Sequence, residues 1–192
     1  SHLGRLHALW TLKGLGYLDL ELLDQVLKKE DHGKVLAAAI RLCEPVLKTW
    51  EQDDALNAIL KHVATENADV KVQIALSLSA VDNPKAVQAL VQLARNNAGN
   101  KAIRDGIISG MPGREASFIA ALVADKGFTN KNRDRESLLG ELARCVIIQG
   151  RRDPVNNLIG LIGKADTASW QKTSLLVGMT PVKIKSTKGL PP

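Results

Sequence analysis

Aromatic side chains are scarce in this chain. Two Phe, one Tyr and three Trp make up 3% of 192 residues. Strand-rich folds lean on aromatic and β-branched residues, so the shortage, set beside abundant Leu, Ala, Ile and Val, favours helices packed on helices. Cysteine is nearly absent too. Cys43 and Cys145 are the only two, which excludes a disulfide framework. Each sits in an apolar helical pattern and reads as a buried free thiol. Two thiols leave the redox compartment open. The four histidines, His2, His7, His32 and His62, are scattered. None is paired at His-x-x-x-His spacing and none stands near a cysteine, so a metal site is not expected. No apolar run approaches the roughly 20 residues of a membrane helix. No basic-then-apolar leader opens the chain, and Ser1-His2 is expected to be a cut or a tag remnant. A phosphate loop and a Gly-x-Ser-x-Gly elbow are both missing. Ser109 and Gly110 read as a helix end. No cofactor and no catalytic residue is expected in this chain.

The charge that is present is uneven. Residues 1–100 hold 11 Lys/Arg and 12 Asp/Glu, whereas residues 101–192 hold 15 and 8. The second half could therefore attract an anionic partner.

Periodicity supplies most of the remaining information. Apolar residues recur at helical spacing in segment after segment, such as Leu56, Ile59, Leu60 and Val63. Turn signals divide the segments into pairs. The spacing predicts helices over about 3–13, from Asp19, 34–48, from Asp53 or Asp54, 70–81 and from Asn83-Pro84. It continues over 101–109, from Arg114, 135–149, from Asp153-Pro154 and 169–178. Pro45 should kink or shorten the third. Ala8, Ala38, Ala75, Gly106, Gly140 and Ser174 fall at matching places in the first helix of each pair. A small side chain there lets the next helix approach closely, and their spacing lies in the range of helical-pair repeats. The fold class that follows is all-α, an α-α superhelix (a HEAT/ARM-like solenoid) of about five to six helical pairs. Residues 1–178 would form the repeat domain and 179–192 an extended tail or linker. As the first copy, the opening helix is expected to have a bare flank where a preceding domain has been removed.

Two groups of polar residues stand out. Arg41, Glu44, Arg114 and Glu115 are candidates for structural links between repeats, with Arg41, Glu44 and Arg114 expected to form salt bridges. Lys131, Arg133, Arg135, Arg151 and Arg152 are candidate contacts for an anionic partner, but they gather at the two ends of one helix and need not form one patch. Trp10, Trp50 and Trp170 read as core or as ridges between repeats, the alternative being stacking platforms for nucleic-acid bases. His7 reads as a stack on Trp10 or as simple surface packing.

Four stretches taken in order resemble a known segment: RLHALWTLKGL over residues 5–15, RLCEP over 41–45, QIALSLS over 73–79 and ISGMPGRE over 108–115. They are similar to the HEAT-repeat segment of large exported bacterial proteins, the group of membrane-bound dehydrogenases and planctomycete-type haem-binding cytochrome c proteins. The resemblance covers roughly residues 3–178. In that group a β-propeller precedes the segment, and a cytochrome c domain with a Cys-x-x-Cys-His motif follows it. The resemblance implies a linker or docking scaffold between redox domains, outside the cytoplasm, within an oxidoreductase. It carries over no catalytic or haem-ligating residue, because this chain has neither the motif nor the propeller. The expected partners are a protein or neighbouring domains of the same polypeptide. Nucleic acid is the alternative, and insertion into a membrane is not expected.

Overall fold

The computed structural model describes residues 1–164 and 166–180. Eleven α-helices, and no strand, occur among these residues. In chain order they are α1 (His2–Leu15), α2 (Leu20–Lys29), α3 (Gly33–Leu42), α4 (Gln52–Leu60), α5 (Ala68–Ser79) and α6 (Pro84–Asn97). Then follow α7 (Lys101–Ser109), α8 (Glu115–Ala124), α9 (Arg133–Gln149), α10 (Arg152–Gly163) and α11 (Ser169–Met179).

Short polar side chains start many of these helices. Asp19, Asn67, Asn83, Asn100 and Asn132 each accept a backbone N–H from the first turn of α2, α5, α6, α7 and α9. Pro84 follows its cap at the first helical position, where its missing N–H costs nothing. The same signal misleads at Asp153-Pro154. There α10 begins at Arg152 without a side-chain cap, and Asp153 lies inside the first turn. The first N–H groups of a helix have no intrahelical acceptor, so a proline is tolerated anywhere in that turn. Pro45 acts more strongly than a kink. α3 stops at Leu42, and a separate 3-10 turn occupies Val46–Lys48, because a proline disfavours helix in the residue before it.

The helices stack in two layers. Second helices pack in series, α2 on α4, α4 on α6, α6 on α8 and α8 on α10. First helices pack α1 on α3, α3 on α5 and α5 on α7, and again α9 on α11. Between α7 and α9 the layer thins. α9 leans on α8 instead, and the link back to α7 is polar, with Arg104 Nε 3.6 Å from Glu141. The connection ahead of α9 carries Phe128, fully buried in a 3-10 turn over Lys126–Phe128.

The small-residue register holds between α5 and α7 and again between α9 and α11. A Cβ on Gly106 would lie 3.3 Å from the Ala75 Cβ, and one on Gly140 would lie 3.5 Å from the Ser174 carbonyl. Gly178 belongs to the same set. A Cβ there would overlap the Gly140 carbonyl oxygen and sit 2.9 Å from the Ala143 Cβ. Ala38 is only half-buried and Ala8 is exposed. α11 runs to Met179, and residues 181–192 of the expected tail lie outside the described residues.

Hydrogen bonds show how local the architecture is. Side-chain bonds that leave their own neighbourhood join residues 25 to 43 positions apart, from Arg5–Glu30 to Gln171–Phe128. That span is about one helical pair. Each pair therefore touches its neighbours in the series, which is the condition for a quasi-one-dimensional solenoid.

Candidate interaction surfaces

The first group of polar residues does lie at junctions between repeats, but with other partners than the salt bridges expected. Arg41 is exposed, and its guanidinium sits over the Trp10 ring, 5.9 Å from the centroid. Glu44 accepts from Ser77 Oγ at 2.8 Å and Gln73 Nε2 at 3.1 Å, both on α5. Arg41 and Glu44 point to different helices because α3 ends between them, at Leu42. Arg114 donates to the carbonyls of Ser79 and Val81, with a longer contact to Gly110 at 3.4 Å. Those carbonyls close α5 and α7, so one cation caps the negative ends of two helices. Its approach to Asp82 is peripheral, at 4.0 Å with the carboxylate 93% exposed. Glu115 is buried and accepts from Gln149 Nε2 at 2.6 Å and from the Gly113 N–H at 2.8 Å. These groups are consumed in holding neighbouring pairs together.

The basic group is divided. Arg135 is not available to an external anion. Its guanidinium donates to the carbonyls of Asn130 at 3.1 Å and Arg95 at 3.0 Å, and lies 5.0 Å from the Phe128 ring centroid. The sequence could not indicate this, because the carbonyl of Arg95 comes from the end of α6, 40 positions earlier. Lys131 pairs with Glu136 at 3.4 Å, and Arg151 donates to Gln149 at 3.0 Å. Arg133 and Arg152 are exposed at opposite ends of α9, about 25 Å apart at ~1.5 Å rise per residue. The five do not form one patch.

The aromatic residues split as well. Trp170 packs on Phe128 and donates its indole N–H to the Thr129 carbonyl at 2.8 Å. Trp10 is 43% exposed and carries Arg41 in place of the expected His7, which is exposed. Trp50 is neither core nor ridge but 90% exposed. Pro45 was the available signal, since ending α3 early places Trp50 in a turn. A stacked pair of histidines, His2 on His32 with centroids 4.0 Å apart, also escaped the sequence. His2 is held below its usual pKa by desolvation and by the His32 charge.

Reactive chemistry finds little footing. Burial pushes the Cys43 thiol up to about 12, and Cys145 is shifted the same way. Both shifts disfavour the thiolate, the reactive form, and Cys43 is the more deeply buried of the two. Among the described residues no three His, Cys, Asp or Glu side chains gather closely enough to hold a metal ion. No described helix is long and apolar enough to cross a membrane.

Concave space runs along the second helices. Between α6 and α8 a groove of about 430 Å³ is lined by Val87, Val91, Ala121 and Ala124 together with Asp82 and Asp125. It continues past Arg114 and Phe118 as a smaller cavity of about 220 Å³. On the other side of α8, Ser117, Ala120 and Gly160 line a groove of about 390 Å³ against α10. The exposed side of α8 thus presents only Ser117, Ala120 and Ala124 to solvent, without a charge.

The family described as HEAT repeats matches residues 5–109, more than half of the chain. No curated protein and no solved structure matches it.

Proposed function

The chain belongs to the HEAT-repeat family, and from that premise we propose that it is a non-catalytic α-solenoid that binds a protein segment or positions neighbouring domains of its own polypeptide. Arrays of this kind work by shape, through extended surfaces that stacked pairs create. The observation that carries the reading is the uncharged exposed side of α8 with a groove on each flank. Small side chains on that face leave room in the grooves for the side chains of another chain. Arginine at Ala120 or Ala124 would fill the adjoining groove with a bulky side chain. Loss of binding to the partner with unchanged helix content supports the reading, and unchanged binding by both variants refutes it.

The finer form of the reading rests on the resemblance noted above. The solenoid would be the segment of a larger exported oxidoreductase that spaces a propeller from a cytochrome c domain, outside the cytoplasm. It would hold no cofactor itself. The parent gene tests this directly. An upstream propeller and a downstream Cys-x-x-Cys-His support it, and a gene encoding this solenoid alone overturns it. The nucleic-acid alternative gains nothing from the divided basic residues. It requires a DNA mobility shift that weakens steeply with salt.

A further inference from the structure

A recess of about 420 Å³ lies between α9 and α11, in the layer of first helices. Its α9 wall is a single stripe of Arg133, Ser137, Gly140 and Arg144. Steps of four, three and four residues keep these positions on one face of a helix. Thr173 and Val177, one turn apart on α11, form the opposite wall. Gly140 adds no side chain, so the recess stays open between the two arginines.

Arg133 and Arg144 are exposed, and among the described residues neither has an ion-pair partner. Each has a glutamate three positions away on its own helix, but both glutamates are drawn elsewhere. Glu136 pairs with Lys131 at 3.4 Å, and Glu141 faces Arg104 of α7 at 3.6 Å. Residues 165 and 181–192 contain no Asp or Glu. Around the recess, therefore, Arg133, Arg144, Lys131 and Arg104 outnumber Glu136 and Glu141. The remaining charges nearby balance. Asp134 on α9 is offset by Lys172 on α11, and Asp166 before α11 by Lys164. Asp105 on α7 pairs with Lys101 at 2.6 Å.

This surplus selects an anion, and the shape selects its kind. Arg133 and Arg144 are about 16 Å apart along the helix axis, at ~1.5 Å rise per residue. An extended peptide rises about 3.3 Å per residue, so carboxylates roughly five positions apart reach both. A guanidinium can grip each one through two parallel N–H bonds. Between the arginines, the Ser137 and Thr173 hydroxyls and the Val177 side chain suit small or aliphatic residues. Single-stranded nucleic acid binds on aromatic platforms. The one aromatic of α9 and α11 is Trp170, which packs on Phe128 and spends its N–H on the Thr129 carbonyl. An anionic bilayer calls for roughly four to eight clustered basic residues, not for two arginines at the ends of a recess.

We infer that the recess between α9 and α11 docks an extended acidic peptide segment of a protein partner. One carboxylate of the segment lies on Arg133 and a second, roughly five residues away, on Arg144. The inference rests on the protein-binding reading. It adds a surface in the layer of first helices to the α8 grooves in the layer of second helices.

The test is titration of the full chain with a fluorescently labelled hexapeptide, glutamate at both ends and alanine and valine between. Its lysine counterpart, an oligothymidylate and phosphatidylserine vesicles serve as rivals. The glutamate peptide is expected to bind, with affinity falling as salt rises. Arg133→Gln and Arg144→Gln should each weaken it about threefold or more. Glu136→Gln should strengthen it, because the recess loses a carboxylate and keeps its shape. Ser137→Phe should abolish it by filling the space. Arg133, Ser137 and Arg144 are exposed, so their variants keep the fold, with helix content as the check. No binding of the glutamate peptide at millimolar concentration and low salt overturns the inference. So does equal binding by both arginine variants or by Ser137→Phe, or a preference for the lysine peptide, the oligonucleotide or the vesicles. Glutamate-peptide binding lost in Ala124→Arg but kept in the arginine variants also overturns it, while leaving the protein-binding reading intact.

Discussion

Replacing Arg114 by alanine tests whether a single cation ties the third repeat to the fourth. The guanidinium is 29% exposed and donates to the Ser79 and Val81 carbonyls, with Gly110 further off. Ser79 and Val81 are buried, so the carbonyls lose partners that water replaces poorly. A hydrogen bond from a charged donor contributes about 1.5–3 kcal/mol, and a cation at a helix C-terminus adds about 0.3–1 kcal/mol. Two such bonds, discounted for partial exposure, give an expected loss of about 2–4 kcal/mol. At roughly 2–4 °C per kcal/mol for a chain of this size, the midpoint should fall by about 5–15 °C.

The assay is thermal and urea unfolding followed by far-ultraviolet circular dichroism. Arg114→Lys should recover part of the loss, since one ammonium cannot reproduce the planar fork that reaches carbonyls of two helices. Added salt should change the Arg114→Ala effect little, because the main acceptors are buried carbonyls and the exposed Asp82 is peripheral. A loss within about 0.5 kcal/mol, the range of an ordinary surface change, would refute the capping argument. A loss abolished by salt would show instead that Asp82 is the working partner.

Glycine replacements should act in opposite directions at two places. Gly178→Ala forces a Cβ against the Gly140 backbone carbonyl, and overpacking of this kind costs about 1–3 kcal/mol; faster hydrogen exchange confined to α9 and α11 is the readout. Gly160→Ala, inside α10 with open space around it, should stabilise the chain by about 0.5–1 kcal/mol in urea unfolding. Glu30 is held down to about 2, from an ordinary 4.5, by its hydrogen bond from Arg5 and by backbone N–H groups. A depressed folded pKa gives stability that is present above 4.5 and is lost as pH falls from 4.5 through about 2. The wild type should lose stability over that window, and Glu30→Gln should flatten this part of the profile. An unchanged slope would show that other carboxylates govern it. Cys43, pushed up to about 12 by burial, should resist a thiol reagent until the chain unfolds, while the partly exposed Cys145 reacts first; equal rates for the two would contradict the burial assigned to Cys43.

Helices were legible because their signals are local. The caps at Asp19 and Asn83 and the stripe of α4 lie within a few residues of the elements they define. The small residues at Ala75, Gly106 and Gly140 extended that legibility to the stacking, since close approach demands a small side chain whatever stands opposite. Partners were not legible. Arg41 and Glu44 are three positions apart and would meet on a continuous helix, but α3 ends between them. Arg135 looked like a free cation until the Arg95 carbonyl, 40 positions earlier, occupied it. Such pairs depend on the rotation of each helix relative to the next repeat, which hydrophobic period fixes only to within a face.

The same locality explains where function can reside. In a solenoid each pair must bury its own flanks against its neighbours, so polar residues at the junctions are drawn into inter-repeat bonds. Arg114, Glu115, Glu44 and Arg135 are all spent in this way. The positions left free are those that no neighbour can reach: the outward side of α8 and the turns at the edge. Selection for stacking alone imposes no requirement for charge or for a large apolar group at either place. A tryptophan on the turn at Trp50 is therefore a departure from what the stack needs, whereas the arginines at the junctions are not. Changing Trp50 should leave the unfolding midpoint where it is while Arg114→Ala lowers it, and that contrast separates surface kept for a partner from surface spent on the array.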